Sequence, residues 1–370
     1  MEKLKNRLLI GTFLVFIFGI SMLNIITPDQ DISEVENRPL QQFPTFTWQR
    51  LKNGRFMADF ETYKTDQFMM KQHWVGLKSD IERLTQRKEN NGVYFGQDGF
   101  LLEVFLDEGA HFNRNLELIN TFNERMPEID TSVMLVPTAV KIFEEKLPRF
   151  APILDQSYLL EQAKQKLMPQ FVNVYETLRE NKESYIFFRT DHHWTMRGAY
   201  FAYLQLMEVW DQFPFTAYEI ETISHNFYGT YFARANNFHL PPDYIELFTP
   251  KKEVNFTLRR GLEGEVSEGL FDFDFLNKRD QYSLFLGGVG PLKVITSEID
   301  SEEKLVIFSD SFAHNFIPFL AMHFKEIHVI DLRYFNINPY AYVEEHGFEQ
   351  ALFLYNLSSF GSDPTLARLR

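Results

Sequence analysis

The sequence contains no cysteine among its 370 residues. This absence excludes a disulfide scaffold, a thiolate nucleophile, an iron–sulfur cluster and any zinc site that uses cysteine ligands. Internal repeats and low-complexity tracts are also absent, so the sequence indicates neither a repeat protein nor a low-complexity linker.

Basic residues are scarce relative to acidic ones. Lysine and arginine total 37 against 51 aspartates and glutamates, a net charge of −14. This balance argues against binding nucleic acid or an anionic membrane through overall charge. By contrast, 39 Phe and 16 Tyr predict a large, well-filled core, because aromatic side chains dominate core burial.

One long uncharged run stands near the start of the chain. Lys3, Lys5 and Arg7 precede 19 residues without a charge, Leu8–Ile26, which is about the length that crosses a hydrocarbon core. By the positive-inside rule, the N-terminus stays cytoplasmic and the chain from about residue 28 is exported. A cleaved signal peptide and a buried core helix are the alternatives, although no small-residue cleavage site follows the run.

The exported part divides into two predicted regions. Residues 28–91 read as a proline-containing linker and an N-terminal helical wrap from about residue 48 to residue 89. Residues 92–370 read as one catalytic domain with an irregular insertion at about 212–290, and residues 93–102 are typical of a hairpin.

In the predicted domain, short apolar runs alternate with helical patterns. Such runs indicate strands buried on both faces of a parallel sheet, and hence an α/β fold. The strands are expected at residues 132–136, 171–174, 185–188, 304–308, 327–330 and 352–355, and helices at about 113–127, 156–169 and 195–210.

The first chemistry-bearing segment is Arg189–Thr195, which follows the run 185–188. Ligands in open α/β sheets bind beyond the carboxyl ends of strands. Since side chains alternate along extended chain, Asp191 and His193 face one side and His192 the other. A carboxylate beside an imidazole is the orienting pair of a hydrolytic triad. The alternative is that Asp191 caps the next helix and the histidines are packed.

The second segment is Ser309-Asp310-Ser311-Phe312, which follows the run 304–308 and opens a helical stretch to about Phe324. A serine there would lie where backbone N–H groups and the helix dipole favour an activated oxygen and an oxyanion. Capping by a serine or aspartate uses the same geometry. Together the two segments supply Ser311, His193 and Asp191.

Three weaker features complete the candidates. The Gly287-Gly288 turn fits neither a dinucleotide-binding fingerprint nor a P-loop, but an amide near Gly288 is a candidate oxyanion donor beside that of Ser311. Arg333 and Tyr334 follow a strand and are candidate substrate-binding residues, with an internal acid as the alternative partner of Arg333. No metal site or cofactor is expected, because His192 and His193 would point apart.

At Asp191-His192-His193-Trp194 the sequence resembles the DHHW protein family, which is similar to the periplasmic alginate O-acetyltransferases. The resemblance covers nearly all of the exported chain. It includes Glu36-Asn37-Arg38-Pro39-Leu40, Phe43-Pro44, Gly96-Gln97-Asp98-Gly99, Phe227-Tyr228-Gly229-Thr230 and Asp310-Ser311-Phe312.

The resemblance implies an SGNH-hydrolase-like (flavodoxin-like) three-layer sandwich with a central, mostly parallel sheet, preceded here by one transmembrane helix. It implies Ser311 as nucleophile, His193 as general base and Asp191 as orienting acid. It also implies transfer of acetyl groups to a cell-surface polysaccharide, with a membrane-bound O-acyltransferase supplying the acetyl group.

One residue departs from the expected pattern. SGNH enzymes commonly add a glycine and an asparagine to the oxyanion hole, whereas Val289 follows the glycine pair here. The expected function is an extracytoplasmic O-acetyltransferase that uses an acetyl-serine intermediate. An esterase with the same triad and a non-catalytic polysaccharide-binding module on a decayed hydrolase fold are the alternatives.

Overall fold

The computed structural model describes residues 2–33, 35–36 and 38–370. Glu34 and Asn37, which belong to the acidic flank and to the Glu36–Leu40 motif, lie outside the described residues. The chain forms two compact units. The first ends at Arg87 and includes Asn236–Phe238, and the second comprises Lys88–Ala235 and His239–Arg370. The division at residues 27 and 91 expected from sequence stays a prediction.

The first unit is mainly helical. Helix α1 is long and apolar enough to cross a membrane, and none of its residues is buried. The Arg38 guanidinium pairs with the buried Asp66 carboxylate, 2.5 Å from Nη2 to Oδ1, so part of the Glu36–Leu40 motif ties the segment to a helix. The helical pattern after residue 48 is confirmed. The elements are α1 Glu2–Ile26, β1 Ile32–Ser33, β2 Arg38–Pro39, α2 Trp48–Lys52, α3 Arg55–Asp66 and α4 Lys71–Leu84.

The second unit is α/β, as the alternation of apolar runs predicts. Its strands are β3 Glu89–Asn90, β4 Val93–Phe95, β5 Leu101–Glu103, β6 Asp130–Val136, β7 Gln170–Phe171, β8 Tyr218–Phe227, β9 Asp243–Pro250, β10 Phe256–Arg260, β11 Val266–Glu268, β12 Leu292–Ser297, β13 Lys304–Ser309, β14 Glu326–Ile330 and β15 Gln350–Asn356. Its α-helices are α5 Phe112–Arg125, α6 Ala139–Ile142, α7 Gln156–Lys166, α8 Tyr175–Glu180, α9 Met196–Val209, α10 Thr230–Ala235, α11 Ile317–Leu320, α12 Pro339–His346 and α13 Leu357–Ser362.

An eight-stranded sheet organises this unit in the order β11-β10-β12-β14-β13-β15-β6-β7. Pairing is parallel from β14 through β7 and antiparallel from β11 through β14. The carboxyl ends of β13, β14 and β15 therefore meet at one edge, where open α/β sheets bind ligands. The antiparallel strands β10 and β11 come from the segment expected to be an insertion.

Helices cover both faces of the sheet. On one face, the Phe122 ring of α5 packs against Phe308 and Phe353, with centroids 5.3 and 5.2 Å away. Phe353 pairs with Val133 of β6, so the neighbouring Ser132 faces the other side. There its hydroxyl accepts the indole N–H of Trp210, which ends α9. The expected three-layer sandwich is confirmed.

The prediction of a sheet strand at 185–188 is wrong. The run is largely buried, as its apolar character requires, but it turns back on itself and belongs to none of the strands of the described residues. Tyr185 has a left-handed backbone with φ 54°, which interrupts extended chain. Phe187 then forms only an isolated bridge with Trp194, and Thr195 N donates to Ile186 O.

The expected helix from Ser311 to Phe324 is also wrong. The segment forms a 3₁₀ turn, Ser311–Ala313, and the short helix α11. Pro318 lies near the start of α11. A continuous helix would need an N–H from this proline and would press its ring against the carbonyl four residues earlier. The helix-dipole argument for Ser311 therefore does not apply.

Candidate active site

The site is built around the buried carboxylate of Asp191. One of its oxygens, Oδ1, accepts the backbone N–H of His193 at 3.0 Å and lies 2.5 Å from His193 Nδ1. Asp191 and His193 are 2% and 4% exposed, so water competes little for these bonds. The bond to Nδ1 fixes the tautomer that leaves a lone pair on Nε2.

That lone pair faces the hydroxyl of Ser311. His193 Nε2 lies 3.1 Å from Ser311 Oγ, which is within reach for proton transfer from the hydroxyl. The structure therefore brings Ser311, His193 and Asp191 together in one hydrogen-bonded chain. This arrangement can activate a serine oxygen as a nucleophile. The alternative that Asp191 caps the next helix does not occur, because Thr195 is the N-cap of α9.

The second oxygen of Asp191 is held by the segment Phe227–Thr230, from outside the parallel part of the sheet. Thr230 N donates to Oδ2 at 2.6 Å, and Gly229 N donates to Thr190 Oγ1 at 3.0 Å. A Cβ on Gly229 would lie 2.1 Å from Asp191 Cβ. Only glycine therefore fits at this position without displacing the carboxylate.

Asp191 remains a carboxylate despite its burial. Burial by itself would raise the pKa of this carboxyl, but two neighbouring imidazoles and the hydrogen bonds from His193 and Thr230 hold the pKa well below its usual range. The negative charge is therefore present to stabilise an imidazolium on His193.

A second buried carboxyl, Asp243, fixes the loop that precedes Asp191. It accepts Arg189 N at 3.0 Å, Thr190 N at 2.8 Å and Thr190 Oγ1 at 2.6 Å, while Tyr185 Oη donates to it at 2.8 Å. Burial raises the pKa of Asp243 above its usual value. Asp243 thus holds Thr190, which in turn holds Gly229 against Asp191.

Two rings flank the imidazole of His193. Tyr282 stacks on it with centroids 3.6 Å apart and planes 10° apart, and the His192 ring lies 3.7 Å away. The prediction that the two histidines point apart is wrong, because the segment turns instead of remaining extended. Sequence analysis also missed Tyr282, which lies in the 3₁₀ turn Gln281–Leu284 without a local motif.

The His192 side chain is 36% exposed and bonds to the segment that holds Asp191. Its Nδ1 lies 2.8 Å from Thr230 Oγ1, and desolvation by the surrounding protein together with the neighbouring His193 lowers its pKa to about 4. Asp191, His192 and His193 place nitrogen and oxygen atoms within 4.8 Å of one another, a spacing compatible with a metal. These atoms are already used in the hydrogen bonds to Thr230 and within the Asp191–His193 pair.

The backbone around Ser311 is fixed by contacts from three directions. Asp310 caps the 3₁₀ turn by accepting Phe312 N at 2.9 Å, Trp194 Nε1 donates to Phe312 O at 2.9 Å, and Tyr282 Oη donates to Ser311 O at 3.1 Å. Among the described residues, the Ser311 N–H has no acceptor, so it is available to an oxyanion.

The structure does not bring Gly288 to this site. Its N–H donates to Phe285 O at 3.4 Å within a turn, and Gly288 does not line the pocket at Ser311. Val289 is 58% exposed. The departure at Val289 therefore says nothing about the oxyanion hole, and the role predicted for Gly288 lacks support.

A pocket of about 360 Å³ opens beside Ser311 and His192. Arg333 lines it and also forms the internal ion pair anticipated as its alternative, 2.6 Å from Nη2 to Asp331 Oδ2. Tyr334 is 47% exposed and does not line the pocket. Glu103 also lines it, and burial raises the pKa of this carboxyl.

Fold and site together define an α/β protein with an SGNH-hydrolase-like fold. In its site, Asp191, His193 and Ser311 form one chain of hydrogen bonds. The model of the DHHW protein family matches residues 129–330, more than half of the chain. The chain belongs to the DHHW family, and the resemblance noted from its sequence is confirmed. No curated protein matches the chain.

Three solved structures share the fold. A DHHW family protein from Eubacterium siraeum is 25% identical with a TM-score of 0.67, covering 76% of this chain and 95% of that one. PatB1 of Bacillus cereus, solved with a sulfonyl adduct, is 19% identical with a TM-score of 0.62, covering 74% and 97%. The O-acetyltransferase domain of AlgJ from Pseudomonas putida is 14% identical with a TM-score of 0.50, covering 75% and 98%.

The close contact at Gly229 gives a first prediction. Gly229→Ala should slow the labelling of Ser311 by a sulfonyl fluoride about 100-fold, because the methyl group displaces Asp191 and misplaces the base. Peptide mass mapping over time measures the rate. Gly290→Ala is the matched control, since no atom would lie within 4 Å of its Cβ. Equal labelling rates in the two variants would contradict this account.

The stacked ring of Tyr282 gives a second prediction. Tyr282→Phe keeps the ring, removes the hydroxyl with its hydrogen bond to Ser311 O, and should change the labelling rate by a few-fold. Tyr282→Leu also removes the stack and should slow labelling about tenfold or more, because His193 loses the ring that fixes its plane. Near-ultraviolet circular dichroism verifies that both variants fold. A leucine variant as fast as the phenylalanine variant would show that the stack does not position the base.

Proposed function

We propose that the chain is an extracytoplasmic O-acetyltransferase that transfers acetyl groups to hydroxyls of a cell-surface or exported polysaccharide. The observation that carries the proposal is the hydrogen-bonded chain from Asp191 through His193 to Ser311, beside an open pocket. Serine, imidazole and carboxylate in this order perform acyl transfer on unrelated folds.

In the first half-reaction, Ser311 Oγ attacks the carbonyl carbon of an acetyl donor while His193 Nε2 takes the hydroxyl proton. The tetrahedral oxyanion accepts a hydrogen bond from the Ser311 N–H. The bond from the carbonyl carbon to the leaving group then breaks, and the leaving group takes the proton from His193. The product is an acetyl ester on Ser311.

In the second half-reaction, a sugar hydroxyl takes the place of the leaving group. His193 Nε2 removes its proton, and the sugar oxygen attacks the acetyl carbon of the ester. Collapse of the second tetrahedral intermediate releases the acetylated sugar, and the proton returns from His193 to Ser311 Oγ. Asp191 stabilises the imidazolium in both halves.

Helix α1 is proposed to anchor the chain as a single membrane span. Lys3, Lys5 and Arg7 before the apolar run favour a cytoplasmic N-terminus, so that the second unit is extracytoplasmic. The acetyl donor would then reach Ser311 from a membrane-bound O-acyltransferase, the partner that the family resemblance implies.

Two of the related structures support acyl chemistry at this fold. One is named as the O-acetyltransferase domain of AlgJ. The other contains PatB1 with a sulfonyl adduct, and a sulfonyl adduct forms when a nucleophile displaces a leaving group from sulfur. Both likenesses concern the fold, while the roles proposed for Ser311, His193 and Asp191 rest on the geometry of this chain.

The third prediction concerns the covalent intermediate. The full-length protein in detergent or nanodiscs should gain one acetyl group on Ser311 when incubated with 4-nitrophenyl acetate. Intact mass and peptide maps measure the gain. Ser311→Ala should abolish it and Ser301→Ala, a loop serine outside the pocket, should not. Added oligosaccharide should remove the acetyl group and yield acetylated sugar.

Other outcomes select the alternatives. Acetyl-Ser311 that yields only acetate with every oligosaccharide tested would favour an esterase. A folded protein with no acetylation of Ser311 would contradict the catalytic proposal and favour a binding module.

A further inference from the structure

Five large apolar side chains form an exposed stripe along α4. Met70 directly precedes the helix, and the others follow at intervals of four, three, four and three residues. Such spacing places them on one face of a helix. They are Met70, Trp74, Leu77, Ile81 and Leu84, with exposed fractions of 54%, 41%, 50%, 54% and 84%. We call this set the α4 stripe.

The opposite face of α4 is the one that packs inside the first unit. Gly76 and Ser79 are buried, and a Cβ on Gly76 would lie 2.8 Å from Phe238 Cδ2. The helix therefore buries its small side chains and exposes its large apolar ones, which reverses the usual amphipathic arrangement. A contiguous exposed apolar surface of this kind marks an interaction site.

The start of α4 is tied to the end of α1. Met69 N donates to the side chain of Asn24, 2.7 Å from N to Oδ1, and Asn24 lies in the last turn of α1. Nearby, Gln67 Nε2 donates to Gln30 O at 2.9 Å. These bonds hold the residue before the α4 stripe at the level of the last turn of α1.

The length of α1 sets that level in a bilayer. The 19 uncharged residues Leu8–Ile26 span about 28 Å as a helix, close to a hydrocarbon core of about 30 Å, and the charged residues before them extend α1 on the cytoplasmic side. The last turn of a spanning α1 therefore lies at the outer boundary of the core, next to the lipid headgroups, and the bond between Asn24 and Met69 places Met70 there as well.

We propose that the α4 stripe lies in the membrane–water interface of the bilayer that α1 spans, and that lipid covers it. The inference rests on the membrane anchoring proposed above. Trp74 is the residue type most typical of the interface. Lys78, whose side chain is 73% exposed, flanks the stripe, where a lysine stem lies along apolar surface with its ammonium in water. The first unit thereby contacts one bilayer through two elements.

The absence of cysteine makes the depth of the stripe directly measurable. Leu77→Cys and Ile81→Cys in the full chain each give a single attachment point for a nitroxide. The labelled proteins are reconstituted in vesicles of phosphatidylcholine and phosphatidylglycerol. Electron paramagnetic resonance then compares collisions with oxygen, which concentrates in lipid, and with a water-soluble nickel complex.

Two further single-cysteine variants calibrate the comparison. Phe16→Cys, on the exposed surface of α1, reports the hydrocarbon core. Lys164→Cys, exposed on α7, reports water. Leu77→Cys and Ile81→Cys should give an oxygen-to-nickel accessibility ratio several-fold above that of Lys164→Cys and below that of Phe16→Cys, as expected for interfacial depth.

Three results would overturn the proposal. Stripe positions that nickel reaches as freely as Lys164→Cys would mean that the stripe faces water. Stripe positions that are immobilised and shielded from both reagents would mean that protein, not lipid, covers them. An aqueous signal at Phe16→Cys would overturn the membrane span itself, and the acetylation of Ser311 would still test the catalytic proposal independently.

Discussion

The site depends on one buried carboxylate, that of Asp191. Its two oxygens accept from His193 N, pair with His193 Nδ1 and accept from Thr230 N, at 3.0, 2.5 and 2.6 Å. An uncompensated charge at 2% exposure would be strongly unfavourable. The surrounding loops must therefore adopt the one arrangement that satisfies the carboxylate, and this arrangement also aims His193 Nε2 at Ser311.

The requirement explains why the active site draws on distant parts of the chain. Ser311 follows β13, Arg333 follows β14 and Ser359 follows β15, so three parallel strands deliver pocket residues to one edge. Asp191 and His193 come from a buried loop, and Thr230 comes from the segment expected to be an insertion. That segment both holds the Asp191 carboxylate, through the hydrogen bond from Thr230 N, and forms two antiparallel strands of the main sheet.

The fold class and the catalytic candidates could be predicted from sequence because their signals are local. Buried strands appear as continuous apolar runs, and the two-residue spacing of Asp191 and His193 allows both side chains to meet. The strand predicted at 185–188 was wrong because an apolar run indicates burial, and burial does not distinguish a strand from a buried loop. The left-handed backbone of Tyr185, which interrupts the extended chain, is visible only in the structure. The continuous helix predicted after Ser311 was wrong as well, although Pro318 in the sequence already indicated an interruption there.

Other parts of the site have no local signal. Tyr282 covers His193 from a short turn in a loop-rich region, and its ring position depends on tertiary packing alone. Gly229 belongs to a segment that the family resemblance marks, but the reason for a glycine, close approach to Asp191, appears only in three dimensions. The contact of His192 with His193 likewise depends on how the loop turns.

The central claim is that the Asp191 carboxylate makes His193 a base toward Ser311. Asp191→Asn keeps the shape of the side chain but offers His193 an amide that favours the wrong tautomer. The second-order rate constant for acetylation of Ser311 by 4-nitrophenyl acetate should fall by about 10⁴ in this variant, with the circular dichroism spectrum unchanged. A folded variant that reacts within a few-fold of the unmodified protein would contradict the account.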